Sequence, residues 1–162
     1  MKKTALTIGF FDGVHLGHQA LLKRLRTHPH ATILTFSNHP KDLFNPPAPP
    51  LLLPLTEKIA LLKTYADEVI VLPFNQELAD TPFDTLLSRF NLSHLILGAG
   101  SVFGQNRTGD ETAVRKYAQE NGFSVEYISK AQFNGEPISS SRIRKAIAAD
   151  DLNLVKQLLG RL

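Results

Sequence analysis

The sequence has no cysteine, no tryptophan and a single methionine among its 162 residues. Without thiols there is no disulfide framework and no thiolate metal site, a usage that suits a reducing compartment. Long apolar runs are missing too. Nothing approaches the roughly 18 consecutive apolar residues of a membrane span. The opening Met1-Lys2-Lys3 resembles the start of a leader peptide, but Gly9 and Asp12 interrupt the following apolar stretch too early. The expectation is a cytoplasmic protein with no membrane partner. Neither sign of charge dominates: 18 Lys and Arg against 15 Asp and Glu leave a formal net charge of +3. The cations are scattered along the chain, without the dense basic stripe of a nucleic-acid binder. A mild positive balance suits anionic small molecules or solubility alone.

What is present is an ordinary globular composition, 43% hydrophobic and 20% charged, and a length suited to one domain over residues 1–162. Short β-branched runs alternate with amphipathic stretches. ALTIG (5–9), ATILTF (31–36), EVIVLPF (68–74), HLILG (94–98) and SVEYIS (124–129) read as strands. Between them lie helix-length segments. One carries Leu16, Ala20, Leu21 and Leu25 on a face, one follows Thr56 as a candidate N-cap, and one follows Pro82. Another runs from Asp110 to a stop at Gly122, and two more close the chain. Strands joined by crossover helices imply an α/β fold, a Rossmann-like open, mostly parallel sheet with helices on both faces. Five prolines between residues 46 and 54 mark an extended loop, about 37–55. Ligands of such sheets bind beyond the carboxyl ends of the strands. The unusual loops after the first, second and fourth strands all leave those ends.

The first of these loops is GFFDGVHLGH. Gly9 permits close approach to the backbone, and Gly13 and Gly17 allow a tight turn into the helix near Leu16. Free N–H groups and a partial positive charge at that helix start suit phosphate. His15 and His18, three residues apart, can face the same place and donate N–H bonds in either protonation state. The plainer alternative is that both only cap and pack. A zinc site is disfavoured by the lack of cysteine and of a nearby third ligand. A second constellation is ISSSRIR (138–144). Its serines suit N-capping, but Arg142 and Arg144 in a first turn oppose the helix dipole unless an anion compensates. Arginine forks match phosphate oxygens. There is no Ser-His-Asp order and no carboxylate dyad. Attack by an already ionised phosphate on a nucleoside triphosphate needs no general base, only alignment and charge stabilisation. The residues therefore favour nucleotidyl transfer.

GFFDGVHLGH together with ISSSRIR resembles the FAD synthetase (FMN adenylyltransferase) module of bacterial bifunctional riboflavin kinase/FAD synthetases, a HxGH-type nucleotidyltransferase. LTFSNHP, FGQNRTGD and the closing LLGR extend the resemblance along the whole chain, LLGR being similar to the family's junction with its kinase module. The resemblance implies transfer of AMP from ATP to FMN, giving FAD and pyrophosphate with Mg²⁺, and without the kinase module no kinase activity is expected. It implies an ATP site at Gly9, Phe11 and Asp12, with His15 and His18 on the triphosphate and Ser140, Ser141 and Arg144 holding phosphates from the opposite helix. His15, His18 and Arg144 are the expected catalytic residues. His39, Pro40 and Phe44 are the expected flavin contacts, with Phe44 stacking on the ring and the proline-rich segment acting as a flap. One departure is plain. The family carries Asn or Asp and then an aromatic residue ahead of Phe-Gly in the fourth-strand loop, where this sequence has Gly100 and Ser101. Asn106 and Asp110 are the substitute metal candidates. The departure keeps two other readings open: nucleotidyl transfer to a different phosphorylated acceptor, and a non-catalytic flavin or nucleotide carrier disabled at Gly100.

Overall fold

The computed structural model describes residues 2–161; Met1 and Leu162, the ends of the expected 1–162 domain, lie outside the described residues. Five parallel strands form one sheet: β1 (Thr4–Ile8), β2 (Ala31–Phe36), β3 (Glu68–Leu72), β4 (Leu92–Gly98) and β5 (Ser124–Ile128), in the spatial order β3-β2-β1-β4-β5. Each crossover carries helix. α1 (Leu16–Arg26) follows β1; α2 (Lys41–Phe44) and α3 (Leu55–Leu62) follow β2; α4 (Gln76–Ala79) and α5 (Phe83–Ser88) follow β3. A 3-10 turn (Gln105–Arg107) and α6 (Glu111–Asn121) follow β4. The chain then forms an antiparallel hairpin, β6 (Gln132–Phe133) and β7 (Glu136–Pro137), and two helices, α7 (Ser140–Ala148) and α8 (Leu152–Leu159). The α/β, Rossmann-like class expected from the sequence is the one found.

The period-2 alternation of the strands explains the layering. Ala5, Ile33 and Ile96 point to one face and pack with Leu21, Leu22 and Leu25 of α1 and Leu62 of α3. Their neighbours Leu6, Leu34, Leu95 and Leu97 point to the other, against Leu86 and Leu87 of α5 and Val114 of α6. Both faces are covered, so the strands are apolar throughout rather than alternately wet. Each fully buried leucine contributes roughly 1.5–3 kcal/mol. A third cluster, Ile138, Ile143 and Leu158, joins α7 to α8. Strand order reverses beside β1, which opens a crevice at the carboxyl ends of β1 and β4. Among the described residues, no helix is long and apolar enough to cross a membrane.

Several local expectations are corrected. Thr56 is not the cap of α3: the helix starts at Leu55 behind Pro54, which lacks an N–H to satisfy and holds φ at −57°. Pro82 stands one position outside α5, as its N-cap. The proline-rich segment is not extended throughout, because Pro40 sits in the helical region (φ −54°, ψ −29°) and starts the single turn α2. α4 and the β6–β7 hairpin had no counterpart in the expected elements, being too short for a periodic signal. Asp110 caps α6 by accepting from Ala113 N–H, and Gly122 ends it at φ 74°, both as expected.

Candidate active site

The β1–α1 turn is built by side chains that need its glycines. At Gly9, a Cβ would stand 2.8 Å from Cζ of Phe11, so the close approach that Gly9 allows is that of the Phe11 ring. At Gly17, it would stand 2.9 Å from Cε1 of His15. Phe11 and Val14 both have positive φ, 57° and 42°. For β-branched Val14 this is a strained conformation, held only where the surroundings over-determine it.

His15 is the N-cap of α1, and the two histidines form a reciprocal capping box. His18 N–H donates to Nδ1 of His15, and His15 N–H donates to Nδ1 of His18, each at 3.3 Å. The rings stack with centroids 3.6 Å apart, and Phe11 meets His18 edge-on at 5.3 Å. The capping alternative is thus realised, and it has a chemical consequence. Burial, with the charge of Arg161 added, brings the pKa of His15 down to about 4. Burial, then the charges of His15, Lys58 and Arg161, holds His18 well below the ordinary histidine value. Both are neutral at pH 7. With each Nδ1 accepting a bond, each proton resides on Nε2. The pair therefore presents two Nε2–H donors in a fixed tautomer, beside the Leu16 and Gly17 N–H groups that open α1.

The start of α7 meets this turn. Ser140 Oγ donates to the Asp12 carbonyl at 2.8 Å, and the Ile138 carbonyl lies 3.5 Å from where a Gly17 Cβ would stand. Ser139 is the N-cap of α7, Ser141 is exposed in the first turn, and Arg144 follows one turn later. Arg144 donates from Nε to the Pro50 carbonyl at 2.9 Å and from Nη2 to the Asp12 carboxylate. That carboxylate also accepts from Leu52 N–H at 3.0 Å. Asp12 thus ties the proline-rich loop to both helix starts, and the Nη1 group of Arg144 has no protein partner among the described residues. Arg142, expected to face phosphate with Arg144, does not. It donates to the carbonyls of Phe133 and Glu136 at 3.0 Å and stands 3.8 Å from the Glu136 carboxylate, securing the β6–β7 hairpin. The carbonyls and carboxylate of the hairpin supply its compensating charge.

Beside this cradle, at the carboxyl ends of β1 and β4, lies a cavity of about 750 Å³ lined by both Ile8 and Gly9, within the usual range for small-molecule sites. Phe36, Pro40, Phe44, Phe74, Leu97 and Phe103 form apolar walls; Ser101, Asn106 and Arg107 add polar groups. Phe44 is 64% exposed and meets Phe74 edge-on at 5.5 Å. His39 sits apart from the cavity wall. Its ring lies 4.8 Å from Phe10 and its Nδ1 accepts from Lys41 N–H at 3.0 Å. Burial first, then Arg144, lowers its pKa. Of the two metal candidates, Asn106 lines the cavity at φ 54°, and the Asp110 carboxylate caps α6. No three His, Cys, Asp or Glu side chains converge on one metal position among the described residues. Gly100 turns at φ 80° with open space where a side chain would stand.

Lys58 was not anticipated. It is 3% exposed, and its ammonium donates to the Phe10 and Phe36 carbonyls at 2.9 Å each and lies 3.9 Å over the Phe10 ring. It ties the loop after β1 to the end of β2, and burial brings its pKa down to about 8. The signal was in the spacing: Lys58 is four residues before buried Leu62, on the inward stripe of α3. Phe74 and Phe103 were also missed as cavity walls: Phe74 ends the run EVIVLPF and Phe103 opens FGQNRTGD, but no local signal shows that the fold brings them together.

The chain resembles known proteins along nearly its whole length. The sequence model of FAD synthetase matches residues 1–142. A bifunctional riboflavin kinase/FMN adenylyltransferase of Haemophilus influenzae is 37% identical over 97% of this chain and 55% of its own length. The protein of that description from Pseudomonas fluorescens is 35% identical over 96% and 53%, and the one from Escherichia coli K12 34% over 96% and 53%. The chain thus spans about half the length of the curated relatives it matches. Among solved structures, one from Streptococcus pneumoniae described as a macrolide-efflux protein superposes with a TM-score of 0.87 at 23% identity, over 99% of this chain and 57% of that one, a likeness of fold. On the family match and these identities, the chain belongs to the FAD synthetase family.

Proposed function

We propose that this chain is an FMN adenylyltransferase, a cytoplasmic enzyme that takes the Mg²⁺ complex of ATP and FMN as substrates. The observation that carries the proposal is the meeting of two helix starts, one bearing the neutral His15–His18 pair and the other Ser140, Ser141 and Arg144, beside an aromatic-walled cavity. The ionised phosphate of FMN attacks the α-phosphorus of ATP in line. A new P–O bond forms, the α–β phosphoanhydride bond breaks, pyrophosphate departs with its electron pair, and FAD remains. No proton need move to create the nucleophile. The two Nε2–H groups and the open N–H groups of α1 stabilise the charge on the phosphate oxygens, and Arg144 meets it from α7. Magnesium would enter with the nucleotide as part of the substrate and would neutralise charge on its phosphates. The flat flavin ring suits the slot between Phe44, Phe74 and Phe103. His39, beside Phe10 and under the influence of Arg144, suits the phosphate end of FMN rather than its ring.

The test is a chromatographic assay with ATP, Mg²⁺ and FMN that follows FAD and pyrophosphate together, with riboflavin and other phosphorylated acceptors alongside. FAD from FMN but not from riboflavin is the expected result. Adenylylation of another acceptor only, or flavin binding with no turnover, overturns the proposal in favour of an altered acceptor or a carrier. Gly100 is the position on which those alternatives rest.

A further inference from the structure

The closing LLGR segment lies beyond the 1–142 family match, and its Arg161 bears on the site by more than its charge. It packs directly onto the turn that presents the histidines. Gly160, left-handed at φ 71°, leaves room for Leu16, the first residue of α1, and a Cβ on Gly13 would stand 3.7 Å from Leu159. From the next residue, Arg161 donates through Nη1 to the Val14 carbonyl at 2.7 Å and through Nη2 to the Gly13 carbonyl. Gln19 of α1 completes the clamp, its Nε2 donating to Val14 O at 2.9 Å and to Leu159 O at 2.7 Å.

The clamped carbonyls belong to Gly13 (φ 85°) and Val14 (φ 42°), the second of them strained. A strained β-branched residue keeps its conformation only when its neighbours enforce it. Here the enforcing groups are the guanidinium and Gln19. The next residue along is His15, whose backbone N–H and ring make half of the reciprocal capping box. Relaxation at Val14 therefore turns His15 and breaks the arrangement that keeps both Nδ1 atoms occupied.

We infer that Arg161 is a positioning residue for the histidine pair: its guanidinium clamps the Gly13–Val14 carbonyls and thereby sets the direction and tautomer of the Nε2–H groups of His15 and His18. It acts through the backbone and touches neither substrate. Its charge works in the same sense. Arg161 disfavours the imidazolium form of both histidines, and Lys58 from α3 and any charge on His15 disfavour that of His18. The kinetic consequence rests on the adenylyl-transfer reading; the effect on the histidines does not.

Arg161→Met and Arg161→Lys, made in the full chain, test the inference. Histidine ring NMR reads pKa and tautomer directly, and steady-state kinetics read kcat and KM. In Arg161→Met the pKa of His15 should rise from about 4 toward the ordinary 6.5, with mixed tautomers at both rings. Turnover should fall on the order of 10²-fold, as expected for small misplacement of aligned groups, with KM for ATP little changed. Arg161→Lys keeps the charge but not the fork, so the histidines should stay neutral while tautomer order and turnover still decline. A folded Arg161→Met protein with wild-type histidine pKa values and tautomers overturns the inference, even if its thermal stability drops, because that pattern describes a structural staple only. If Arg161→Met does not fold, Arg161→Lys decides: disordered tautomers support the role, and wild-type tautomers end it. If the unaltered protein makes no FAD, the function proposal fails while the NMR result still stands for or against Arg161.

Discussion

Acid should destabilise this protein through His15, and the size of the effect follows from its burial. The group is 5% exposed, and its pKa falls from 6.5 in the unfolded chain to about 4 in the fold. Between those values the unfolded chain binds the proton and the folded one does not, so stability falls as pH falls. The stabilisation is complete above the unfolded pKa and is lost as pH descends toward the folded one. A shift of 2.5 units at 1.36 kcal/mol per unit sets a ceiling of roughly 3 kcal/mol, of which about 2 kcal/mol should be gone by pH 5. Carboxylates also titrate near that range, so the wild-type curve alone is not diagnostic. His15→Asn separates the contributions. Asparagine is a good N-cap whose side-chain oxygen can accept the His18 N–H, but it does not titrate. Urea unfolding of both proteins at intervals from pH 7 to pH 4 should show curves close at pH 7 that diverge by about 2 kcal/mol at pH 5, the wild type losing more. Parallel curves refute the buried neutral histidine and with it the fixed Nε2–H tautomer.

Other perturbations probe neighbouring parts of the site. Gly9→Ala drives a methyl into the ring of Phe11, 5% exposed, and should cost about 1–3 kcal/mol in urea unfolding; wild-type stability would mean that the ring moves freely. Phe44→Ala should weaken FMN binding by a factor of about 2–10, the worth of one aromatic pair, with ATP binding unchanged in calorimetry; equal loss for both ligands removes Phe44 from the flavin slot. Gly100→Asn meets open space at φ 80°, a region asparagine tolerates, so stability should change by less than about 1 kcal/mol. Turnover at limiting Mg²⁺ should rise, and an unchanged rate would show that the missing polar residue has no consequence here.

Much of this protein was legible along the chain, because the signals are local. Strand and helix periodicity report which face each residue buries, so β2 was delimited at both ends and β5 to within one residue. Capping is equally local, and Asp110 and Gly122 occupy the ends of α6 that their chemistry prefers. His15 and His18 could be placed at a helix start from spacing alone. Their protonation state could not, because burial and the charges of Lys58 and Arg161 come from segments 40 and more residues away. The same holds for the two arginines of α7. They look alike in sequence, yet Arg142 is claimed by the hairpin before it, while Arg144 reaches Asp12 and Pro50 on a loop remote in the chain. The cavity, too, draws its aromatic walls from four separate segments. By itself, the sequence determined the α/β class, the two motifs that open α1 and α7, and the family. Only the tertiary structure decided which donors are free, which tautomer they hold and what clamps them, since desolvation and long-range pairing depend on which distant residues the fold brings together.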